Sequence, residues 1–155
     1  MVAIEIGKEL YLENVLSLRK QMRHNDINDE IMKIIRYLES NQINRTGSII
    51  TTTYDILGNN MLDIEILVPI DKVINLPLEY KMKPVFKITN AVYARHKGNP
   101  ALLQGVYSEI LEYIHNYGLQ QITTAYNVTI NEISLEGNVD ELIIDVYIGV
   151  SNNIL

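Results

Sequence analysis

Residues Val85 to Val150 replay residues Glu13 to Ile70, and a repeat of this length means one supersecondary unit used twice. Thr51-Thr52-Thr53-Tyr54-Asp55-Ile56 is echoed by Thr123-Thr124-Ala125-Tyr126-Asn127-Val128. Asn14-Val15-Leu16-Ser17-Leu18-Arg19-Lys20 is echoed by Asn90-Ala91-Val92-Tyr93-Ala94-Arg95-His96. Glu65-Ile66-Leu67-Val68-Pro69-Ile70 is echoed by Asp145-Val146-Tyr147-Ile148-Gly149-Val150. Tyr54 and Tyr126 therefore occupy equivalent positions, as do Glu65 and Asp145.

Local patterns give each unit the order strand, helix, strand, strand. Residues 13–22 mix apolar and polar positions at period two and read as the first strand. His24-Asn25-Asp26 is turn chemistry, and Asp26 or Asn28 can cap a helix. In that helix Ile27, Ile31, Ile34, Ile35 and Leu38 form the buried stripe, with Asp29, Glu30, Lys33, Arg36 and Glu39 on the other side. It stops in Ser40-Asn41-Gln42. Strand 48–56 and the return strand Met61 to Ile70 flank the hairpin signal Leu57-Gly58-Asn59-Asn60, with Pro69 near the strand end.

The second unit opens with a strand from Val85 to Arg95. Asn99 is its helix cap and Pro100 its first helical residue. Leu103, Val106, Tyr107, Ile110, Tyr113, Ile114 and Tyr117 make the stripe, and Gly118 is the stop. Gly105 costs this helix about 1 kcal/mol relative to Ala, which close packing against a neighbouring element would explain. Strands 121–132 and 140–150 follow, around a turn at Glu136-Gly137-Asn138. Residues 1–12 alternate weakly and read as an edge strand or an arm. Residues 71–84 hold Pro77 and Pro84 and read as a linker lying across the surface.

The expected fold is α+β: duplicated β-α-β-β units forming an antiparallel sheet with two helices packed on one face, pseudo-twofold symmetric. One domain is expected over 1–155, with repeats at about 13–70 and 85–150. A groove should run between the helices or along the seam. Open sheet edges make either a monomer or a homodimer reasonable.

Composition narrows the function classes. A 47% hydrophobic and 21% charged chain is that of an ordinary globular protein. No apolar run approaches the ~20 residues of a membrane helix, and the N-terminus lacks a signal-peptide pattern. No membrane association and a cytoplasmic location are the expectations. The absence of cysteine removes disulfides and thiolate chemistry. A net charge of −6 argues against nucleic acid as a partner, because phosphate neutralisation needs clustered Lys and Arg. The densest basic patch, Arg19 to His24, runs straight into Asp26, Asp29 and Glu30 and reads as a solvated strand end.

His24, His96 and His115 share no ligand spacing, so neither metal nor cofactor is expected. His96, at a strand-to-helix turn, reads as a structural hydrogen-bonder. No serine sits in a nucleophile elbow and no glycine-rich loop cradles phosphate, so catalysis has no visible machinery. Ten tyrosines stand against one phenylalanine, and a buried tyrosine needs a partner for its hydroxyl. Tyr54 and Tyr126 are either rings that stack on a flat or cationic ligand, or core residues whose hydroxyls reach the surface. Tyr107 falls on the second helix stripe, as core or groove rim. Alternation turns Glu65 and Asp145 away from Ile66, Val68, Val146 and Ile148, which suggests carboxylates on the wetter sheet face. Buried, either could act as an acid, a base or a counter-charge for a cation. The candidate ligand-binding set is Tyr54, Glu65, Tyr93, Tyr107, Tyr126, Asp145 and Tyr147.

The repeated frame, the His96-Lys97-Gly98-Asn99-Pro100 entry to the second helix and the closing strand Glu65-Ile66-Leu67-Val68-Pro69-Ile70 resemble the GyrI-like domain. This is also the effector-binding domain of AraC-type and MerR-type multidrug regulators. The resemblance covers roughly residues 13–150 and extends to stand-alone relatives in Gram-positive bacteria. It implies binding of small, often aromatic or cationic molecules in a tyrosine-lined groove with a buried glutamate at its base. The chain departs from the family at Asn127, where an acidic residue often stands beside the aromatic, and it has no tryptophan. It is similar to the sensor half of such regulators without a helix-turn-helix. Small-molecule binding is therefore the first functional expectation. A protein-interaction or chaperone-like accessory factor, with a protein partner, is the alternative, and a small hydrolase the third.

Overall fold

Patterns of period two and period 3.6 emerge as strands and helices in the computed structural model, which describes residues 2–132 and 138–153. In chain order the elements are β1 (Ile4–Arg23), α1 (Ile27–Ser40), β2 (Ile50–Ile56) and β3 (Met61–Pro69). Then come β4 (Lys81–Lys97), α2 (Leu103–Asn116), β5 (Gln120–Thr129) and β6 (Ile143–Ser151). The fold class is α+β, with antiparallel strand pairing. The chain divides into two units, Leu12–Phe86 and Lys87–Leu155 with Met1–Tyr11.

In the Leu12–Phe86 unit, β3 pairs with both β1 and β2, placing Leu18 opposite Ile66 and Thr52 opposite Glu65. Even-numbered residues Leu16, Leu18, Ile64, Ile66 and Val68 share one face, and Ile34 and Leu38 of α1 pack on it. Ile27, Ile31 and Ile35 close the rim of this core, as the isoleucine stripe requires. Each such aliphatic side chain contributes about 1.5–3 kcal/mol when fully buried. Asp26 stands at the N-cap position of α1 but makes no side-chain capping bond, because a 3-10 turn over His24–Asp26 precedes the helix. Glu30, expected on the polar side, is buried: its carboxylate accepts a hydrogen bond from Lys20 Nζ at 2.6 Å. The hairpin turn holds Asn59 and Asn60 both at φ 62°, the left-handed pair that suits the twist of the flanking strands.

In the other unit, β6 pairs with β4 and β5, placing Ala94 opposite Val146 and Tyr126 opposite Tyr147. Val92, Ala94, Ile144, Val146, Ile148 and Val150 meet Val106, Ile110 and Ile114 of α2. The entry to α2 is a tight local design. The Asn99 carbonyl accepts from His96 Nε2 at 2.9 Å, and Asn99 Oδ1 accepts from the Ala101 amide at 3.0 Å. Pro100 opens a single 3-10 turn, Pro100–Leu102, rather than the α-helix itself. Gly118, at φ 65°, ends the helix, and the Leu119 amide reaches back to the Ile114 carbonyl at 3.0 Å.

Several expectations change. β1 begins at Ile4 instead of residue 13, and β4 at Lys81 instead of Val85, so weak alternation did not mark where these strands start. Segment 71–84 is tied to the first core rather than draped over the surface: Tyr80 is buried with its ring 5.6 Å from that of Tyr37, and Ile74, Leu76 and Met82 pack beside it. Tyr117 is exposed, its ring stacked on Tyr113 at 4.2 Å. A Cβ on Gly105 would meet nothing within 4 Å, so close packing does not explain that glycine. The close approach is at Gly149, where a Cβ would stand 2.7 Å from Thr123 Cγ2. Glu136 and Gly137 of the last expected turn lie outside the described residues.

Candidate functional site

Odd-numbered positions of β3 turn away from α1, and Glu65 is among them. It is only 2% exposed, so the expectation of a wetter sheet face is overturned; Asp145, in β6, is likewise 4% exposed. From Ile64 to Pro69 β3 is buried on both faces, and alternation cannot signal that condition. A buried charge survives only when paired and hydrogen-bonded, and Glu65 has both. Its Oε2 accepts from Ser17 Oγ and from Lys83 Nζ, each at 2.5 Å, and its Oε1 accepts from the Tyr54 hydroxyl at 2.5 Å. Tyr54 reaches it from β2 at the point where the register with β3 shifts between Thr53 and Asp55, a bulge that re-aims a side chain. Burial opposes ionisation of Glu65. The bonds from Lys83, Ser17 and Tyr54 together outweigh it, so the carboxyl lies below its ordinary range.

Two further charges complete this centre. The Arg19 guanidinium lies over the Tyr54 ring, 3.9 Å from its centroid. The same group donates to Asp63 through Nε at 3.2 Å and Nη2 at 2.9 Å. Arg19 is thereby raised above its ordinary value, first by the Asp63 hydrogen bond, and Asp63 is lowered by the same bond.

The second centre is built on β4 and β6. Asp145 Oδ1 accepts from the Tyr93 hydroxyl at 2.9 Å and from Arg95 Nε at 2.7 Å, while Oδ2 accepts from Arg95 Nη2 at 3.0 Å. This is a bidentate guanidinium–carboxylate fork. The Tyr93 and Tyr147 rings lie 5.1 Å apart, and Lys8 Nζ stands 5.4 Å from the Tyr93 centroid. Burial, then the bond to Asp145, pushes the Tyr93 phenol up to about 12. Tyr147 is also raised, chiefly by burial.

The structure thus brings Tyr54 to Glu65, and Tyr93 and Tyr147 to Asp145. Tyr126 lies directly across from Tyr147, on the same sheet face. Tyr107 does not join this set. It sits on α2 against the opposite face of that sheet, and its hydroxyl donates to Asn127 Oδ1 at 2.7 Å. Burial raises its phenol. The partners that sequence reasoning missed are Ser17, Lys83, Arg19, Asp63 and Arg95. The two arginines stood at equivalent places in the expected repeat, which is a signal of a kind. Lys83 stood in the presumed linker and gave none. Among the described residues, no group of His, Asp and Glu could hold a metal ion, and no helix is long and apolar enough to cross a membrane.

No protein-family model matches the chain, nor does any curated protein sequence. Solved structures do. The EcmrR C-terminal domain is similar at a TM-score of 0.79 and 15% identity, over 99% of both chains. The likeness is one of fold. EcmrR in its DNA complex matches at 0.77 and 16% identity, and the present chain spans 58% of that chain. A hydrolase from Listeria innocua matches at 0.61 and 11% identity over 93% of this chain and 91% of that one. SAV2435 bound to tetraphenylphosphonium matches at 0.51 and 10% identity, over 97% and 94%. With EcmrR solved on DNA, the exclusion of nucleic acid drawn from net charge gains no support.

Proposed function

We propose that this chain binds small aromatic cations, with Glu65 as the counter-charge and the Tyr54 hydroxyl beside it. The observation that carries this reading is a buried, ionised glutamate whose charge is matched by the single ammonium of Lys83. The Lys83 side chain is 37% exposed, against 3% for Glu65. An ammonium on a flexible stem can return to water, and a ligand cation can take its place in a site where little solvent weakens the attraction. SAV2435, a neighbour of the same fold, was solved with tetraphenylphosphonium, a bulky aryl cation, which supports this ligand class. Asp145 supports it by contrast: locked in a fork with Arg95, it serves structure rather than exchange. The shared element order of the two units, and Arg19 facing Glu65 as Arg95 faces Asp145, support a duplicated unit at 13–70 and 85–150 within one domain, with 71–84 between the repeats.

The test is thermal unfolding with tetraphenylphosphonium chloride. A ligand at about 100 times its Kd adds about 2.7 kcal/mol, a rise of roughly 5–10 °C for a chain of this size. Glu65→Gln should abolish the rise. An equal rise in Glu65→Gln, or none in wild type, would overturn the assignment.

A further inference from the structure

The strand pairs β1–β3 and β4–β6 differ in one instructive way. Arg19 faces Glu65 across β1 and β3, and Arg95 faces Asp145 across β4 and β6. Arg95 takes the acid opposite it, through both Nε and Nη2. Arg19 leaves its acid and donates both bonds to Asp63 instead, lying over the Tyr54 ring. Asp63 faces Gln21; the matching place in the second pair, facing Lys97, is held by Ile143. Arg95 has no carboxylate there to choose. Arg19 has one, two residues along the same strand from Glu65.

A guanidinium that forks onto a carboxylate occupies both oxygens in a fixed plane, whereas an ammonium binds as a point charge. Forked by Arg19, Glu65 would repeat the closed arrangement of Asp145 and offer little to a competing monovalent cation. Held by Lys83, with Ser17 and Tyr54 as neutral donors, it keeps an exchangeable partner.

We propose that Asp63 is a positioning residue for cation binding: it holds Arg19 off Glu65 and so keeps that carboxylate open to exchange. This rests on the assignment of Glu65 as the ligand's counter-charge. It adds a residue outside the candidate set, acting through Arg19 rather than by touching the ligand.

The variant is Asp63→Asn, read in two ways. In ligand-free protein, NMR should find the Arg19 side-chain protons shifted upfield by the Tyr54 ring in wild type. In Asp63→Asn that shift should vanish, with the Arg19 Nε proton, bonded to Asp63 in wild type, giving instead a hydrogen-bonded signal that adding Glu65→Gln removes. Titration with tetraphenylphosphonium should then show affinity falling at least about tenfold in Asp63→Asn, equivalent to about 1.4 kcal/mol. The double variant Asp63→Asn/Arg19→Gln should restore affinity to near wild type; a loss caused by general damage to β3 would not be rescued by removing Arg19. Arg19 remaining over Tyr54 in Asp63→Asn overturns the proposal, as does a displaced Arg19 with unchanged affinity. Wild type that fails to bind the probe overturns the Glu65 assignment, and the binding role of Asp63 with it. Wild type that binds, Glu65→Gln that does not, and Asp63→Asn that binds normally overturn the Asp63 role alone.

Discussion

Lys83→Met removes the ammonium from Glu65 and keeps most of the aliphatic stem. A hydrogen bond to a charged group contributes about 1.5–3 kcal/mol, and stripping one partner from a fully buried ion pair costs about 3–5 kcal/mol. The Glu65 side chain is 3% exposed but that of Lys83 is 37%, so water takes up part of the loss. About 1–2 kcal/mol remains, a fall in Tm of roughly 4 °C for a 155-residue chain. The acid limb should move as well. In the folded protein burial disfavours the Glu65 charge, but the bonds from Lys83, Ser17 and Tyr54 prevail, and the carboxyl sits below its ordinary value of 4.5. A lowered folded pKa stabilises above the unfolded value and is lost as pH falls through the folded one. Without Lys83 the foremost favourable bond is gone, the folded value rises, and acid unfolding begins at higher pH. The assay is urea denaturation between about pH 3 and pH 8 of wild type, Lys83→Met, Glu65→Gln and the double variant. A coupling of about 1–2 kcal/mol at neutral pH is expected. A coupling under about 0.5 kcal/mol, or an unmoved acid limb, would refute the pairing.

Two other outcomes follow from contacts already described. Gly149→Ala drives a methyl to 2.7 Å from Thr123 Cγ2 and should destabilise by about 1–3 kcal/mol; adding Thr123→Ser removes that carbon and should recover part of the loss in denaturation midpoints. The Tyr93 phenol, held at about 12 in the fold against about 10 in the unfolded chain, supports stability below the lower value and loses that support as pH rises toward the higher. Tyr93→Phe should flatten the alkaline decline of the denaturation midpoint across that window, and equal slopes would count against the Tyr93–Asp145 bond.

Turn and cap chemistry were legible because they depend on residues a few positions apart. Asn59 and Asn60 announced their left-handed turn, Asn99 its cap over Ala101, and Gly118 the helix stop. The helix stripes were legible for the same reason, down to Ile34, Leu38, Val106 and Ile110 in the two cores. The same logic erred wherever burial depended on distant chain. Alternation put Glu65 and Asp145 on a wetter face, but their strands are buried on both faces. Helical spacing put Glu30 on the polar side, although Lys20 meets it, and Tyr117 on the stripe as core or groove rim, although it lies exposed just past the helix end.

The candidate site belongs wholly to that second kind. The sequence alone carried the expectation of two similar units, most of the strands and helices along the chain, and the two acids Glu65 and Asp145. Which cation each acid receives was decided only by the tertiary structure. Lys83 and Ser17 come to Glu65 across 18 and 48 residues of chain, and Arg95 to Asp145 across 50. No periodicity spans such distances. Arg19 faces Glu65 as Arg95 faces Asp145, yet one finds Asp63 within reach and the other finds Ile143. That choice depends on the bonds and charges available once the strands have paired.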